Sequence, residues 1–312
     1  MANYNEVDSY ESETQVPYNI ALNTNANLDC RYKTAVVAND RLYVGNIYHR
    51  GRIYGDRMIK SPPNKYNILP FNNYIDVVVN DGDEITALEY FKDKILQFKK
   101  RKVFIIDISG ETEFLSDTLN DVGVMQQSQV CRTPHGIAWV TPDGCHIYDG
   151  KRLVNLIDGK IPTSSDFSPI SNNFWKVSNV TSSTWGPACV QYIQERDTLL
   201  IAANSQRHGY TNGPNGHTYH FPTKSWGFLN NKFTGTHATD TGTLSNFTLN
   251  KDGDIIYAGN EGANNTNIFK WSEAPSINNE GGASTYSVFA FVTRDFDFGD
   301  ISVRKKIYKV YV

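Results

Sequence analysis

The sequence has little of what marks a disulfide-rich, metal-binding or membrane-spanning protein. Its 312 residues contain four cysteines, which are widely spaced and form no CxxC pair: Cys30, Cys131, Cys145 and Cys189. Free, partly buried thiols are therefore expected. No stretch approaches the roughly 18 apolar residues of a membrane helix. Residues 1–15 are polar and lack the apolar core of a signal peptide. We expect a protein made in a reducing cytoplasm, with no membrane span.

An excess of charge of one sign is also lacking. The chain has 30 Lys and Arg against 33 Asp and Glu, a net charge of −3. Such a chain has no global field that would attract nucleic acid or an anionic membrane. The longest basic runs are KKRK at 99–102 and RKK at 304–306. The first lies between two apolar strand patterns and predicts a solvated hairpin turn.

Sequence motifs of catalysis are absent. The chain contains no GxGxxG or P-loop, no GxSxG elbow and no HExxH. His217 and His220 are the closest approach to a metal pair, but residues three apart on a strand point to opposite faces, so both are expected as exposed histidines. The only metal candidate is a weak one for Ca²⁺, at Asp81 and Asp83 in the turn NDGD. We expect no enzyme activity, no catalytic residues and no cofactor.

A glycan hydrolase remains an alternative, because carboxylates are plentiful. One patch lies at 76–84 and another at 295–300. A glycosidase needs two carboxylates a few ångströms apart across a sugar, and spacing along the chain cannot establish this separation. A sialidase would also need converging arginines, and no motif joins the available ones, Arg41, Arg52, Arg57 and Arg132.

The sequence is rich in short strand–turn–strand units. Aromatic residues make up 12% of the chain, and helical periodicity is scarce even at 85–98, which we interpret as two strands. Asp-Gly pairs at 143–144 and 252–253 suit tight hairpins, because both residues tolerate positive φ. The units recur about every 40 to 50 residues, which is the length of a four-stranded propeller blade. The sequence therefore predicts an all-β fold, a β-propeller of about five to six four-stranded blades.

The repeat also predicts the domain boundaries. Residues 30–283 form the propeller, with blades at 30–70, 73–118, 120–165, 185–232 and 234–280. Residues 1–29 are an N-terminal arm or a closing strand. Residues 284–312 are a closing strand or the start of a further β domain, in which case the chain belongs to a longer polypeptide.

An apolar alternation at 307–312 predicts a strand that needs a partner. Its residues Ile307, Tyr308 and Val310 are our prediction for an edge between subunits.

Three stretches, at 30–48, 54–109 and 130–156, resemble tail-associated structural proteins of bacteriophages. Their propeller is similar to that of the tail nozzle (tail tubular protein B-like) of short-tailed phages. The most specific piece is DRMIKSPPNK within these stretches, which comprises Asp56, Arg57, Met58, Ile59, Lys60, Ser61, Pro62, Pro63, Asn64 and Lys65. Residues 294–312 also fit this group, as the exit from the propeller into a further β domain.

The resemblance implies a structural component of the virion tail that contributes to tail assembly and to the DNA conduit. The implied partners are identical subunits in a ring, other phage tail proteins, and DNA that passes without sequence-specific binding. Mild acidity suits a conduit, because a basic lumen would hold DNA through counterion release. The alternative is a propeller at the tail tip that binds a host receptor or a glycan on the host cell surface.

Overall fold

The structure is a computed structural model that describes residues 30–49, 52–79, 81–163, 175, 177, 188–202, 216–229, 247–260 and 266–271. The chain divides into two compact units, Met1–Trp271 and Ser272–Val312. All described residues belong to the first unit. The predicted arm at 1–29, the predicted segment 284–312 and its edge residues Ile307, Tyr308 and Val310 lie outside the described residues.

The described residues form nineteen strands in five sheets, which we call blades 1 to 5. Blade 1 contains β1 (Cys30–Ala38), β2 (Arg41–His49), β3 (Arg52–Lys60) and β4 (Tyr74–Asp76). Blade 2 contains β5 (Ile85–Phe91), β6 (Lys94–Lys99), β7 (Lys102–Asp107) and β8 (Phe114–Asn120). Blade 3 contains β9 (Val130–Thr133), β10 (Gly136–Thr141), β11 (Gly144–Tyr148) and β12 (Leu153–Asn155). Blade 4 contains β13 (Cys189–Ile193), β14 (Thr198–Ala202), β15 (Gly216–His220) and β16 (Ser225–Leu229). Blade 5 contains β17 (Thr248–Leu249), β18 (Ile255–Asn260) and β19 (Thr266–Lys270).

Each blade is an antiparallel meander in which every strand pairs with the strand before it in the chain. Blades 1 to 4 have four strands, and the described part of blade 5 has three. The first strands of blades 1 to 4 lie next to one another, β1 beside β5, β5 beside β9 and β9 beside β13. Consecutive four-stranded meanders that meet at their first strands are the arrangement of a β-propeller. The predicted fold class is confirmed.

Tight turns hold the strands of each blade together. Asn39 and Asp40 join β1 to β2 with φ of 44° and 58°, and Lys92 and Asp93 join β5 to β6 with φ of 48° and 58°. Two consecutive positive φ values match the twist of a two-residue hairpin. Only the Asn39–Asp40 turn could be recognised from its residue types, since lysine is unusual in this conformation.

Buried apolar layers fill the spaces between successive blades. Each pair of neighbouring blades shares an apolar cluster. The clusters contain Met58 and Ile95 between blades 1 and 2, Phe98 and Trp139 between blades 2 and 3, Val140 and Leu199 between blades 3 and 4, and Leu200 and Ile255 between blades 4 and 5. The middle strands β7, β10 and β14 are therefore buried on both faces. Full burial of one such side chain stabilises a fold by about 1.5–3 kcal/mol, so the stacking of blades is the main source of stability.

One expectation about the blades needs correction. The first blade does not end near residue 70, because Tyr74–Asp76 pairs with β3 as a fourth strand. Its three residues are too few to give a recognisable alternation. Val103 and Ile106 lie on β7, the third strand of its sheet, and are buried because neighbouring blades cover both faces of this strand.

Two further expectations agree with the structure. Residues 85–98 form the hairpin of β5 and β6. Cys131, Cys145 and Cys189 are free and buried. No helix in the described ranges is long and apolar enough to cross a membrane.

We expect Gly136→Ala to destabilise the protein severely. A Cβ at this position would overlap the backbone oxygen of Tyr148, and the glycine has φ of +151°. The clash is with backbone of the paired strand β11, so relief would require the strands to separate, at a cost of about 3 kcal/mol or more. Chemical denaturation with circular dichroism would measure it.

Gly159→Ala is the matched control for this prediction. Gly159 has φ of +65° and open space around the position of a Cβ, so its substitution should cost only about 1 kcal/mol through backbone strain. Equal losses of stability in the two variants would contradict our assignment of close packing between β10 and β11.

Candidate functional site

Strand β3 carries the first half of the DRMIKSPPNK motif and joins blade 1 to blade 2. Residues two apart on a strand share a face, and Asp56, Met58 and Lys60 all reach blade 2. Met58 packs in the apolar cluster between these blades. Lys60 Nζ lies 2.6 and 2.7 Å from the two carboxylate oxygens of Glu113. The motif therefore contributes one apolar and two ionic contacts to the same interface.

The Glu113 carboxylate also accepts a hydrogen bond from the buried Tyr43 hydroxyl at 3.3 Å. Burial, together with Glu113, raises the pKa of Tyr43 to about 12. Burial opposes ionisation of Glu113, but the hydrogen bond from Lys60 lowers its pKa overall. The three side chains thus form one charge-assisted cluster between the blades.

Arg57 and Ile59 alternate with these residues and lie on the other face of β3. The guanidinium of Arg57 donates two hydrogen bonds to Asp76 of β4, at 3.0 and 2.7 Å. It also lies over the rings of Tyr54 and Tyr74, at 4.8 and 3.8 Å. The bidentate hydrogen bond to Asp76 is the main cause of the raised pKa of Arg57. This arginine holds the short fourth strand onto the sheet.

The second half of the motif ends β3 and ties it back to β2. The backbone N–H of Ser61 donates to Leu42 O at 2.8 Å, and the Leu42 N–H donates to Ser61 Oγ at 2.9 Å. Pro62 and Pro63 have no N–H to continue a ladder, so the strand stops there. Asn64 has φ of 57° and donates its N–H to Asp40 O at 2.7 Å. Lys65 completes the turn through its N–H to Pro62 O at 3.2 Å.

Lys99, on β6, is the most deeply buried charge in the described part of the chain. Its side chain has no exposed surface. Its ammonium group donates to Asp56 Oδ1 at 2.5 Å, to Asp81 Oδ1 at 2.7 Å and to the backbone oxygen of Val78 at 3.3 Å. All three donors of the ammonium therefore have an acceptor. The expectation that 99–102 is a solvated turn was wrong for Lys99, because its side chain points back to the acids of blade 1 and the blade 1–2 loop.

The calcium candidates Asp81 and Asp83 lie beside Lys99 and have protein partners. Burial disfavours a charged Asp81, but the hydrogen bond from Lys99 lowers its pKa overall. Asp83 accepts the backbone N–H groups of Lys100 and Arg101 at 3.2 and 3.1 Å. The structure thus gives both carboxylates a role in the fold, and the ammonium disfavours a cation at Asp81. In the described ranges, no group of three or more His, Cys, Asp or Glu residues has the geometry to hold a metal.

Gln127 joins blades 1, 2 and 3 near their first strands. It lies in a 3₁₀ turn, Gln127–Gln129, directly before β9. Its Oε1 accepts from the Thr34 hydroxyl of β1 at 2.8 Å and from the Leu88 N–H of β5 at 3.2 Å. Its Nε2 donates to Glu89 Oε1 at 2.8 Å. One amide side chain therefore connects three blades.

Glu89 is the titratable group at this junction whose ionisation is most disfavoured. Burial raises its pKa to about 7, against the opposing effects of Arg132, the backbone N–H of Tyr90 and the Gln127 amide. Arg132 lies over the ring of Tyr90 at 5.5 Å. The carboxyl group accordingly changes its charge near neutral pH.

A histidine–aspartate pair lies between blades 3 and 4, and sequence reasoning missed it. His135 Nε2 is 2.7 Å from Asp197 Oδ1, and the Tyr192 hydroxyl donates to the same oxygen at 2.7 Å. The His135 ring stacks on Phe221 at 4.2 Å. His135 and Asp197 are 62 positions apart, so no local pattern joins them. Burial and Asp197 raise the pKa of Tyr192 to about 12, so the cluster ties two turns together.

The histidines singled out in the sequence do not form a pair. His217 is fully buried, with its ring stacked on Trp175 at 4.8 Å. The expectation of an exposed histidine was wrong here, because this face of β15 packs in an aromatic layer between blades 3 and 4. His220 is half-buried, and its Nδ1 is 2.7 Å from Thr223 Oγ1.

The described carboxylates and arginines considered for glycan hydrolysis have separate partners, and the patch at 295–300 lies outside the described residues. Arg57 binds Asp76, whereas Arg41 donates to Ser61 O at 2.9 Å. Glu84 receives hydrogen bonds from Asn46 and Lys33 at 2.9 and 3.2 Å. Burial opposes ionisation of Glu84, but these bonds and one from Lys100 lower its pKa to about 2. Glu84 therefore stays charged at neutral pH, which makes it unsuitable as a general acid.

No protein-family model and no curated protein matches the sequence. Similar solved structures include the extracellular domain of a putative hybrid two-component system from B. thetaiotaomicron, with 11% identity and a TM-score of 0.43 over 83% of this chain and 28% of that chain. They also include the WD40 domain of Neurospora crassa Pan2, with 11% identity and a TM-score of 0.43 over 79% of this chain and 64% of that chain. This chain thus spans less than two thirds of both. A putative 6-phosphogluconolactonase from Bacteroides fragilis has 12% identity and a TM-score of 0.43 over 77% of this chain and 66% of that chain. Likeness at this level carries no argument about activity.

We expect Lys99→Met to destabilise the protein by about 3 kcal/mol at pH 7, because it leaves two partly buried carboxylates without their cation. In the wild type, the lowered pKa of Asp81 contributes stability above its ordinary value of 3.8. This contribution is lost as the pH falls through the lowered pKa. The difference between variant and wild type should therefore shrink toward acidic pH, as measured by urea denaturation at several pH values.

Lys100→Met is the matched control in the same turn. The Lys100 side chain is 43% exposed and pairs with Glu84 on the surface, so its loss should cost less than about 1 kcal/mol. A Lys99→Met variant as stable as this control would show that the buried ammonium is not needed.

We expect Glu89→Gln to stabilise the protein at pH 8 and to flatten its pH dependence. The folded protein retains the Glu89 proton up to a pKa of about 7, whereas the unfolded chain loses it near 4.5. Wild-type stability therefore falls as the pH rises through this window, by an amount on the order of 3 kcal/mol. Denaturation at pH 4, 6 and 8 would measure the slope. Glu111→Gln, at an exposed position, is the control, and an unchanged slope in Glu89→Gln would contradict the assignment.

Proposed function

We propose that the protein is a structural component of a bacteriophage tail, a nozzle-type propeller that contributes to tail assembly and to the DNA conduit. It would form a ring of identical subunits, contact other tail proteins and let DNA pass without reading its sequence. It would be made in the host cytoplasm and reside in the virion tail. The proposal includes no enzyme activity and no cofactor.

One observation carries this proposal: the residues that resemble the phage proteins are those that hold the first two blades together. Asp56, Met58 and Lys60 contact blade 2, and Arg57 retains the fourth strand of blade 1. In an enzyme or a receptor-binding module, the most specific motif would be expected to converge on an open site. Here its polar groups are used within the fold, as befits a protein whose role is to keep its shape.

The charge distribution near the first strands is compatible with a conduit. On β1, Lys33 pairs with Glu84. The chain as a whole is mildly acidic, at −3. It therefore lacks the overall excess of Lys and Arg with which proteins bind the phosphate backbone through counterion release.

A receptor-binding module at the tail tip is the second proposal. Three tyrosines of blade 1 and its loop are exposed, Tyr32, Tyr66 and Tyr74, at 44, 43 and 49%. Tyrosine rings offer an apolar face and a polar tip to a sugar or a protein. Binding of the purified protein on a glycan array, lost on Tyr74→Ala, would favour this proposal, and an array without signal would count against it.

The proposal of a tail protein predicts where the chain is found. Antibodies raised against the purified protein should label the tails of particles of the phage that encodes it, in immunogold electron microscopy. Mass spectrometry of gradient-purified particles should detect the protein as a component of the particle. Its absence from purified particles, with a major capsid protein detected as the control, would reject the proposal.

A further inference from the structure

Strand β8 is the most exposed outer strand of blades 1 to 4. It has seven residues, against three each for β4 and β12 and five for β16. Its first four residues are all exposed, and two of them are large and apolar, Phe114 at 57% and Leu115 at 42%. In the described sheet it pairs on one side only, with β7. An outer strand of this length with exposed apolar side chains can accept a further strand.

The residues of this edge carry only acidic charges, although Lys94 of β6 donates a hydrogen bond to Ser116 Oγ at 3.3 Å. Residues 111–121 contain Glu111, Glu113, Asp117 and Asp121 and no Lys or Arg. Glu113 is neutralised by Lys60, while Asp117 lies exposed in the middle of β8. The register of β8 on β7 also shifts between Ile105 and Ile106. A charge and a bulge on an edge disfavour pairing with an arbitrary strand, so a partner must compensate the negative charge.

One segment of this chain has the complementary sequence. Residues 304–312, RKKIYKVYV, contain four basic residues and no acidic one. Their apolar members are Ile, Tyr and Val, the residue types that favour strands. In sequence, Lys309 lies between the apolar residues Tyr308 and Val310. Asp117 lies in β8, which begins with the apolar residues Phe114 and Leu115. Each segment thus combines a charge with apolar side chains, and the two charges are opposite. Opposite charges on paired strands stabilise the pair, and like charges destabilise it.

We propose that β8 of one subunit receives residues 304–312 of a second copy of this chain, with Lys309 close to Asp117. This inference rests on the ring of the proposed function and names the two surfaces that would form its contacts. Because β8 and residues 304–312 are different surfaces, the contact is head-to-tail, and repetition of it generates a closed ring or a filament.

The test uses two single charge reversals in the full chain. Asp117→Lys and Lys309→Glu should each weaken self-association by roughly tenfold or more, because a like-charge pair replaces an opposite one. Sedimentation velocity at a series of concentrations measures the association, and circular dichroism checks that each variant is folded. The weakening should be smaller at high salt, which screens both pairings. Asp158→Lys, an equal charge change at an exposed position after β12 of blade 3, is the control and should associate like the wild type.

A mixture of the two variants distinguishes a second copy from a contact within one chain. In an alternating assembly, the lysine introduced by Asp117→Lys in one subunit meets the glutamate introduced by Lys309→Glu in the next. The following contact joins the unaltered Asp117 to the unaltered Lys309, so both contacts pair opposite charges. The mixture should therefore regain association that neither variant has alone.

Three outcomes would overturn the proposal: a wild-type chain that stays monomeric, variants that associate like the wild type, or recovery only when both changes are in one chain. The last would place residues 304–312 on their own β8. Failure of this test leaves the tail location to be decided separately by the labelling of particles, so the two failures are distinguishable.

Discussion

Coverage of both faces of each sheet is the constraint on which the structure depends. The middle strands of the blades are apolar on both sides, so no blade is stable in water alone. Stacking each blade between two neighbours removes both faces from water, as Trp139 and Leu200 illustrate with complete burial. The short tight turns follow from the same constraint, because strands of one blade must stay in register while their faces are packed.

Apolar stacking alone would leave the position of one blade against the next loosely determined. The polar groups at the interfaces fix that position, since each group keeps its hydrogen-bond partners only when the two blades are stacked in one way. Lys99 bonds to two carboxylates at the interface of blades 1 and 2, and Gln127, directly before β9 of blade 3, bonds to blades 1 and 2. Breaking such a pair by removing one partner is costly, even though the pair as a whole adds little stability. We infer that their contribution is to geometry more than to free energy.

The pairing of polar side chains within the fold also bears on function. The described groups that resemble a metal or acid–base site are used inside the fold: Asp81 and Asp83 around the 99–102 turn, Glu84 by lysines and an amide, and His135 by Asp197. The described blades also expose tyrosines on blade 1 and an acidic edge strand on blade 2. Contacts between macromolecules use broad surfaces and strand edges of this kind, as the proposed function requires.

The sequence by itself determined the class of fold and many of the strands, because these depend on local patterns: alternation, a repeat of about 40 to 50 residues, and turn residues that tolerate positive φ. It also marked 56–65 as distinctive. It could not determine what that segment does, because the partners of Asp56, Lys60 and Arg57 lie up to 53 positions away along the chain. Nor could it separate Lys99 from its three basic neighbours, since only the tertiary structure decides which side chain of a basic run meets buried acids. Burial and charge pairing depend on which strands face each other, and that is decided only when the blades are stacked.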